Sequence, residues 1–212
     1  MVCQCIGHGG ASALARANTL ASFDAACEIG VDMVEFDVRA WNGELVLAHT
    51  VLHARRGGNV RLVDALAHLC HRRVGLNVDV KHVGCESALL DGLRHAGLLD
   101  RTLISSQVPE VLDRTRALEP RARVGISVGG RLARLSHRWR DWRAVALAGL
   151  HTGRWDALMA QHKLVDRALL HDVSDRGGRL YAWTVNERSV IARLQALGVH
   201  GITTSDPRLF SL

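Results

Sequence analysis

The stretch "VEFDV", residues Val34 to Val38, sets two carboxylates into a run that otherwise has the composition of a buried strand. Glu35 and Asp37 are two apart, so in a strand both side chains leave the same face. Like charges that close need a positive partner, whether a metal, a lysine, an arginine or a substrate. The stretch therefore reads as a buried strand whose end carries a site.

Outward from it the chain alternates. Strands are expected at 3–8, 32–40, 74–81, 102–106, 122–128, 179–185 and 201–205, and "LVLAH" (45–49) after the turn "WNGE" makes a hairpin-like extension. Helices are expected at 19–30, closed by Gly30, and at 60–72, 86–97, 163–176 and 187–198; 109–120 is opened and closed by proline. Within 131–162 the pattern gives a helix around "DWRAVALAG" and a short strand near "RWDALMAQ", and "DPRLFSL" closes as a short helix. Seven or eight βα units with short connections imply a parallel sheet covered by helices.

Such a sheet is either a closed (β/α)8 barrel or an open doubly wound sheet. The count favours the barrel, as does the position of the polar residues. His8, Glu35, Asp37, Asp79, Lys81, Ser106 and Trp183 fall at or near the C-terminal ends of expected strands, which in a barrel converge on one mouth. No glycine-rich dinucleotide fingerprint follows the first strand.

The 212 residues suffice for one sizeable core, and 48% hydrophobic with 23% charged residues describes a globular chain. No apolar run reaches the ~18 residues of a membrane span. The start "MVCQCIGHGG" lacks the basic and apolar regions of a signal peptide, so a cytoplasmic location is expected. The net charge of +6 raises nucleic-acid binding, but the arginines are dispersed and 4% aromatics provide few stacking platforms. Anionic small molecules fit the charge equally well. Cys3 and Cys5 are spaced like half of a soft-metal site, but no second pair completes it, and the five cysteines are read as reduced thiols.

Asp79 and Lys81 repeat the i, i+2 geometry of Glu35 and Asp37. Three carboxylates with one lysine form a hard-oxygen site suited to one Mg²⁺ or Ca²⁺, with phosphate as counter-ligand; a structural ion-pair network is the other reading. His8 and His49 flank the cluster as candidate acid and base. Strand periodicity puts Arg39 on the face of Glu35 and Asp37, nearer the mouth, as a phosphate contact; Arg16 in the loop after the first strand is a second candidate.

"IGHGGAS", "ANTLASF", "EFDV", "LVLAH", "NVDVK", "YAWTVN" and "GVHGITTSDP" occur in this order between residues 6 and 207. As an ordered set they resemble the glycerophosphodiester phosphodiesterase family. The resemblance implies that residues 1–212 are one (β/α)8 domain, a metal-dependent hydrolase releasing glycerol 3-phosphate and an alcohol from a small diester. It matches Glu35, Asp37 and Asp79 to metal ligands, the third being a glutamate in the family. It matches His8 and His49 to the catalytic histidines, Lys81 to a phosphate-contacting lysine and Trp183 to a tryptophan beside the substrate.

Four positions depart from the family pattern. Gly9 stands for an arginine, Ala17 for a glutamate, Thr50 for an aspartate after the second histidine, and Ser205 for an aspartate in the closing motif. The segment between His49 and Lys81 is short, with "ARRGGN" as a stub, which implies a more open pocket. A barrel that binds a phosphorylated ligand without catalysis, and a lysophospholipase D-type enzyme, are the alternative readings. Oligomeric state is not legible in the sequence.

Overall fold

A helical crossover carries the chain back between successive barrel strands, so they lie parallel, and the sheet closes on itself. The computed structural model describes residues 2–130 and 138–210. The strands are β1 Gln4–His8, β2 Met33–Trp41, β3 Glu44–Leu47, β4 Gly75–Val80, β5 Thr102–Ser106, β6 Arg123–Val128, β7 Ala157–Gln161, β8 Arg179–Trp183 and β9 Gly201–Thr204. All but β3 are parallel to their neighbours, and β1 pairs with both β2 and β9, so eight strands form a closed barrel. The helices α1 Leu20–Ile29, α2 Val51–Arg56, α3 Leu62–Leu69, α4 Glu86–His95, α5 Pro109–Leu118, α6 Arg138–His151, α7 Arg167–Ser174 and α8 Arg188–Leu197 surround it. This is the expected (β/α)8 fold.

Inward and outward residues alternate along every strand, which divides the core in two. Ile6, Met33, Leu103, Ala157, Met159 and Tyr181 fill the barrel interior. The outward residues, such as Val34, Phe36, Val78, Ile104 and Val124, pack against the helices in a larger continuous core. Above the inner apolar layer, toward the strand C-termini, the inward positions turn polar.

Local chemistry sets most helix ends. Thr19 caps α1, its hydroxyl accepting from the Ser22 amide, and Gly30 closes it in the left-handed region at φ 89°. Three expectations shift. The helix expected from residue 60 begins at Leu62, because Leu47 donates its amide to the Val60 carbonyl and Val46 bridges Arg61. The helix expected from 163 begins at Arg167 after a single 3₁₀ turn, because the Asp166 carboxylate caps the Leu169 amide. The expected terminal helix is a 3₁₀ turn over Pro207–Leu209, and its last two residues lie outside the described residues. The helix and strand expected within 131–162 are α6 and β7. No described helix is long and apolar enough to cross a membrane.

Candidate functional site

The barrel register brings the acids together. Asp37 pairs with Asp79 across β2 and β4, and His8 pairs with Glu35 across β1 and β2. Glu35, Asp37 and Asp79 each offer a carboxylate oxygen within 4.8 Å of the others, the one such group among the described residues. Lys81 extends from the end of β4, its Nζ 2.5 Å from both Asp37 Oδ1 and Asp79 Oδ2. The Glu35 Oε2 accepts from the Gly9 amide at 2.8 Å. Asp37 is clamped by Asn18, whose Nδ2 donates to its Oδ2 at 2.8 Å while its Oδ1 accepts from the Asp37 amide at 3.1 Å.

Buried Glu35 and Asp37 and half-buried Asp79 outnumber the one lysine, and the imbalance appears in their protonation. Burial pushes the Glu35 carboxyl well above the ordinary range, and the neighbouring Asp37 charge pushes it further. Burial acts on Asp37 in the same direction, but its hydrogen bond to His49 and the Lys81 ammonium outweigh it, and its pKa falls. Lys81 loses solvation, yet Asp79, Asp37 and Glu35 hold its proton above the usual lysine value. Asp79 Oδ1 is buried without any hydrogen-bond partner. A carboxylate with an unpaired buried oxygen, grouped with two further carboxylates, suits a hard divalent cation, so the residues present fit the metal the sequence implies.

The two histidines sit differently. His8 ends β1 with Nε2 4.0 Å from Glu35 Oε2 and Nδ1 3.5 Å from Ser205 Oγ. Burial holds its pKa below the ordinary imidazole value; Asp37 opposes the shift, and His49 and Lys81 add to it. His49 lies in the loop after β3, with Nδ1 3.1 Å from Asp37 Oδ1 and a side chain 58% exposed. Thr50, where the family pattern has an aspartate, caps α2 by accepting from the His53 amide. Asp37 thus supplies the orienting carboxylate for His49.

His8, Glu35, Asp37, His49, Asp79, Lys81 and Trp183 line one central cavity of about 190 Å³. Trp183 is fixed by donating Nε1 to the Met159 carbonyl at 2.9 Å. Two expectations change. Arg39 is absent from the cavity lining and donates Nε and Nη2 to the His49 carbonyl at 3.3 Å. From Val38 onward β2 pairs with β3, which carries Arg39 on a hairpin beyond the barrel wall. Ser106 faces outward, donating to the Val80 carbonyl at 2.6 Å, because Ser105 is the residue in register with Asp79 and lines the cavity.

A second, larger space of about 680 Å³ adjoins the first and shares His8, Asp37 and His49 with it. Its wall includes Gly9, Arg16, Ala17 and the turn after α2. Among the described residues Cys3 and Cys5 join no group of three or more potential metal ligands; burial first, then Asp32, pushes their thiols up to about 11 and about 12, and both are free cysteines.

A family model described as the glycerophosphoryl diester phosphodiesterase family matches residues 8–60 and 74–209. YhdW of Bacillus subtilis is 25% identical over 95% of this chain and 94% of its own length. A glycerophosphodiester phosphodiesterase of Caldanaerobacter subterraneus is 23% identical over 95% of this chain and 93% of its own. An Oleispira antarctica phosphodiesterase, solved in complex with the product sn-glycerol-3-phosphate, superposes with a TM-score of 0.79 at 21% identity, covering 98% of this chain and 94% of that one.

Proposed function

The chain belongs to the glycerophosphoryl diester phosphodiesterase family, and from that membership we propose that it is a metal-dependent phosphodiesterase that splits a glycerophosphodiester into glycerol 3-phosphate and an alcohol. The observation that carries the reading is the meeting of Glu35, Asp37 and Asp79 with two histidines on one cavity wall. The cavity is below the ~300–1,000 Å³ of drug-sized ligand sites, which suits a small polar group such as glycerol phosphate.

Glu35, Asp37 and Asp79 would hold one Mg²⁺ or Ca²⁺. When bound, the ion polarises the phosphoryl oxygens and favours ionisation of a nearby hydroxyl. Lys81 neutralises phosphate charge as the bond breaks. His8, kept neutral by burial, takes the proton of the attacking hydroxyl, either water or the 2-hydroxyl of the glycerol; in the second case the alcohol leaves from a cyclic phosphate that a water then opens to glycerol 3-phosphate. Asp37 engages His49 through Nδ1, which leaves Nε2 to protonate the departing alkoxide. The indole of Trp183 forms a fixed wall beside the glycerol.

The test is release of glycerol 3-phosphate from a panel of glycerophosphodiesters with Mg²⁺, Ca²⁺ or EDTA. Release that stops on chelation and returns with metal is expected. No release from any diester with either metal would remove the reading.

A further inference from the structure

We propose that the alcohol arm of the substrate carries a negative charge of its own, held by Arg16 and Arg56 in the groove beside the catalytic histidines. The proposal rests on the diesterase reading and names its substrate class. A diester spans two arms from one phosphorus, and this site has two spaces meeting at His8, Asp37 and His49. The inner space, about 190 Å³, is walled by short polar groups such as Asn77, Ser105 and Thr203, and suits a glycerol with free hydroxyls. The outer groove, about 680 Å³, takes the other arm.

Small residues, Gly9, Ala17, Gly57 and Gly58, make up part of the groove's lining. Gly9 and Ala17 approach closely at one side, and a Cβ added at Gly57 or Gly58 would meet nothing within 4 Å. Its charged side chains are Arg16, Arg56 and Asp37. Asp37 is already matched by Lys81, His49 and Asn18. Arg16 and Arg56 are exposed, and among the described residues neither is in an ion pair. The groove therefore offers two unmatched guanidinium groups, which favour a phosphate or carboxylate on the arm and oppose a quaternary ammonium.

Three diesters with a common glycerol 3-phosphate half separate the possibilities. One carries glycerol as the second arm, one glycerol bearing a terminal phosphate, and one choline. At low salt kcat/KM should be highest for the phosphate-bearing arm, by roughly 3- to 10-fold over the neutral one, and lowest for choline. The ratio should shrink toward one near 1 M salt, where the Debye length is about 3 Å. In the Arg16→Ala/Arg56→Ala double variant it should collapse at low salt as well, and Arg56→Glu should shift preference toward choline. Equal kcat/KM for all three arms, with glycerol 3-phosphate released, would overturn the proposal and leave the diesterase reading standing. A preference for the anionic arm that survives the double variant would overturn it too. So would turnover that ignores the arm but rises with anionic vesicles, which would assign the arginines to a lipid surface. No release from any arm would remove the reading and the proposal together.

Discussion

Ser205 Oγ lies 3.5 Å from His8 Nδ1, so a neutral hydroxyl occupies the position beside this imidazole where the family pattern places an aspartate. A carboxylate there would favour the imidazolium, whereas a hydroxyl leaves burial in control, and burial lowers the His8 pKa. The sign follows. A base is active when unprotonated, so the acidic limb of the kcat/KM profile should lie below the ordinary imidazole value of 6.5. Ser205→Asp should move that limb to higher pH and leave the alkaline limb in place. A limb that does not move would detach Ser205 from His8.

Metal binding should be visible without turnover. A cation that binds only the folded state adds about 2.7 kcal/mol of stability at 100 times its Kd. Mg²⁺ or Ca²⁺ should therefore raise the melting temperature of the protein, and the rise should vanish in Asp79→Asn, which neutralises the carboxylate with the unpaired buried oxygen. The difference with and without metal is the quantity to compare, because Asp79→Asn also removes a partner of Lys81. An undiminished rise in Asp79→Asn would remove that residue from the site.

Replacing either histidine by alanine should lower kcat by roughly 10²-fold or more, the scale of a lost general acid or base. Neither side chain belongs to the apolar core, so circular dichroism and melting should stay close to the parent. The two variants should differ with leaving group: an alcohol of low pKa needs little protonation, so His49→Ala should recover on it and His8→Ala should not. Equal recovery would cancel the division of roles.

Most of this architecture was legible because it depends on period and punctuation. The βα alternation, the i, i+2 acids on β2 and the return of the same spacing on β4 are properties of single strands. What depended on register between strands was not. Ser105 and Ser106 are equivalent in a sequence reading, and only the pairing of Ser105 with Asp79 selects which one faces inward. Arg39 has the inward parity of Glu35 and Asp37, but β2 leaves the barrel wall with β3 before reaching it. The stub read into residues 54–59 overlaps α2, a six-residue helix too short to show a period. Asn18 is in the sequence motif, yet its clamp on Asp37 needs the loop folded, with Asn18 itself in the left-handed region at φ 62°. Asn tolerates that conformation, which is the one local signal that marked it.

Gly9 is the departure with the sharpest physical consequence. Restoring the family's arginine there would add a phosphate contact in principle, but the backbone opposes any side chain. Gly9 has φ 57°, and a Cβ built on it would lie 2.8 Å from the Cβ of Ala17 and 3.3 Å from the Ala17 Cα. Two costs are therefore superimposed: about 1–2 kcal/mol for an L-residue in the left-handed region, and a steric clash with the neighbouring loop. Gly9→Ala should lower the stability of the protein by at least the first amount, and Gly9→Arg should do no better despite its charge. A double-mutant cycle separates the two costs. Ala17→Gly removes the atom that the new Cβ would strike, so Gly9→Ala/Ala17→Gly should regain the clash component and keep the backbone component. The same loop carries Asn18, and the Gly9 amide donates to Glu35. A shift of either segment should therefore also weaken the metal-induced rise in melting temperature, and the double variant should restore part of it. If Gly9→Ala melts like the parent, the left-handed turn and the close approach of Ala17 do not constrain this site.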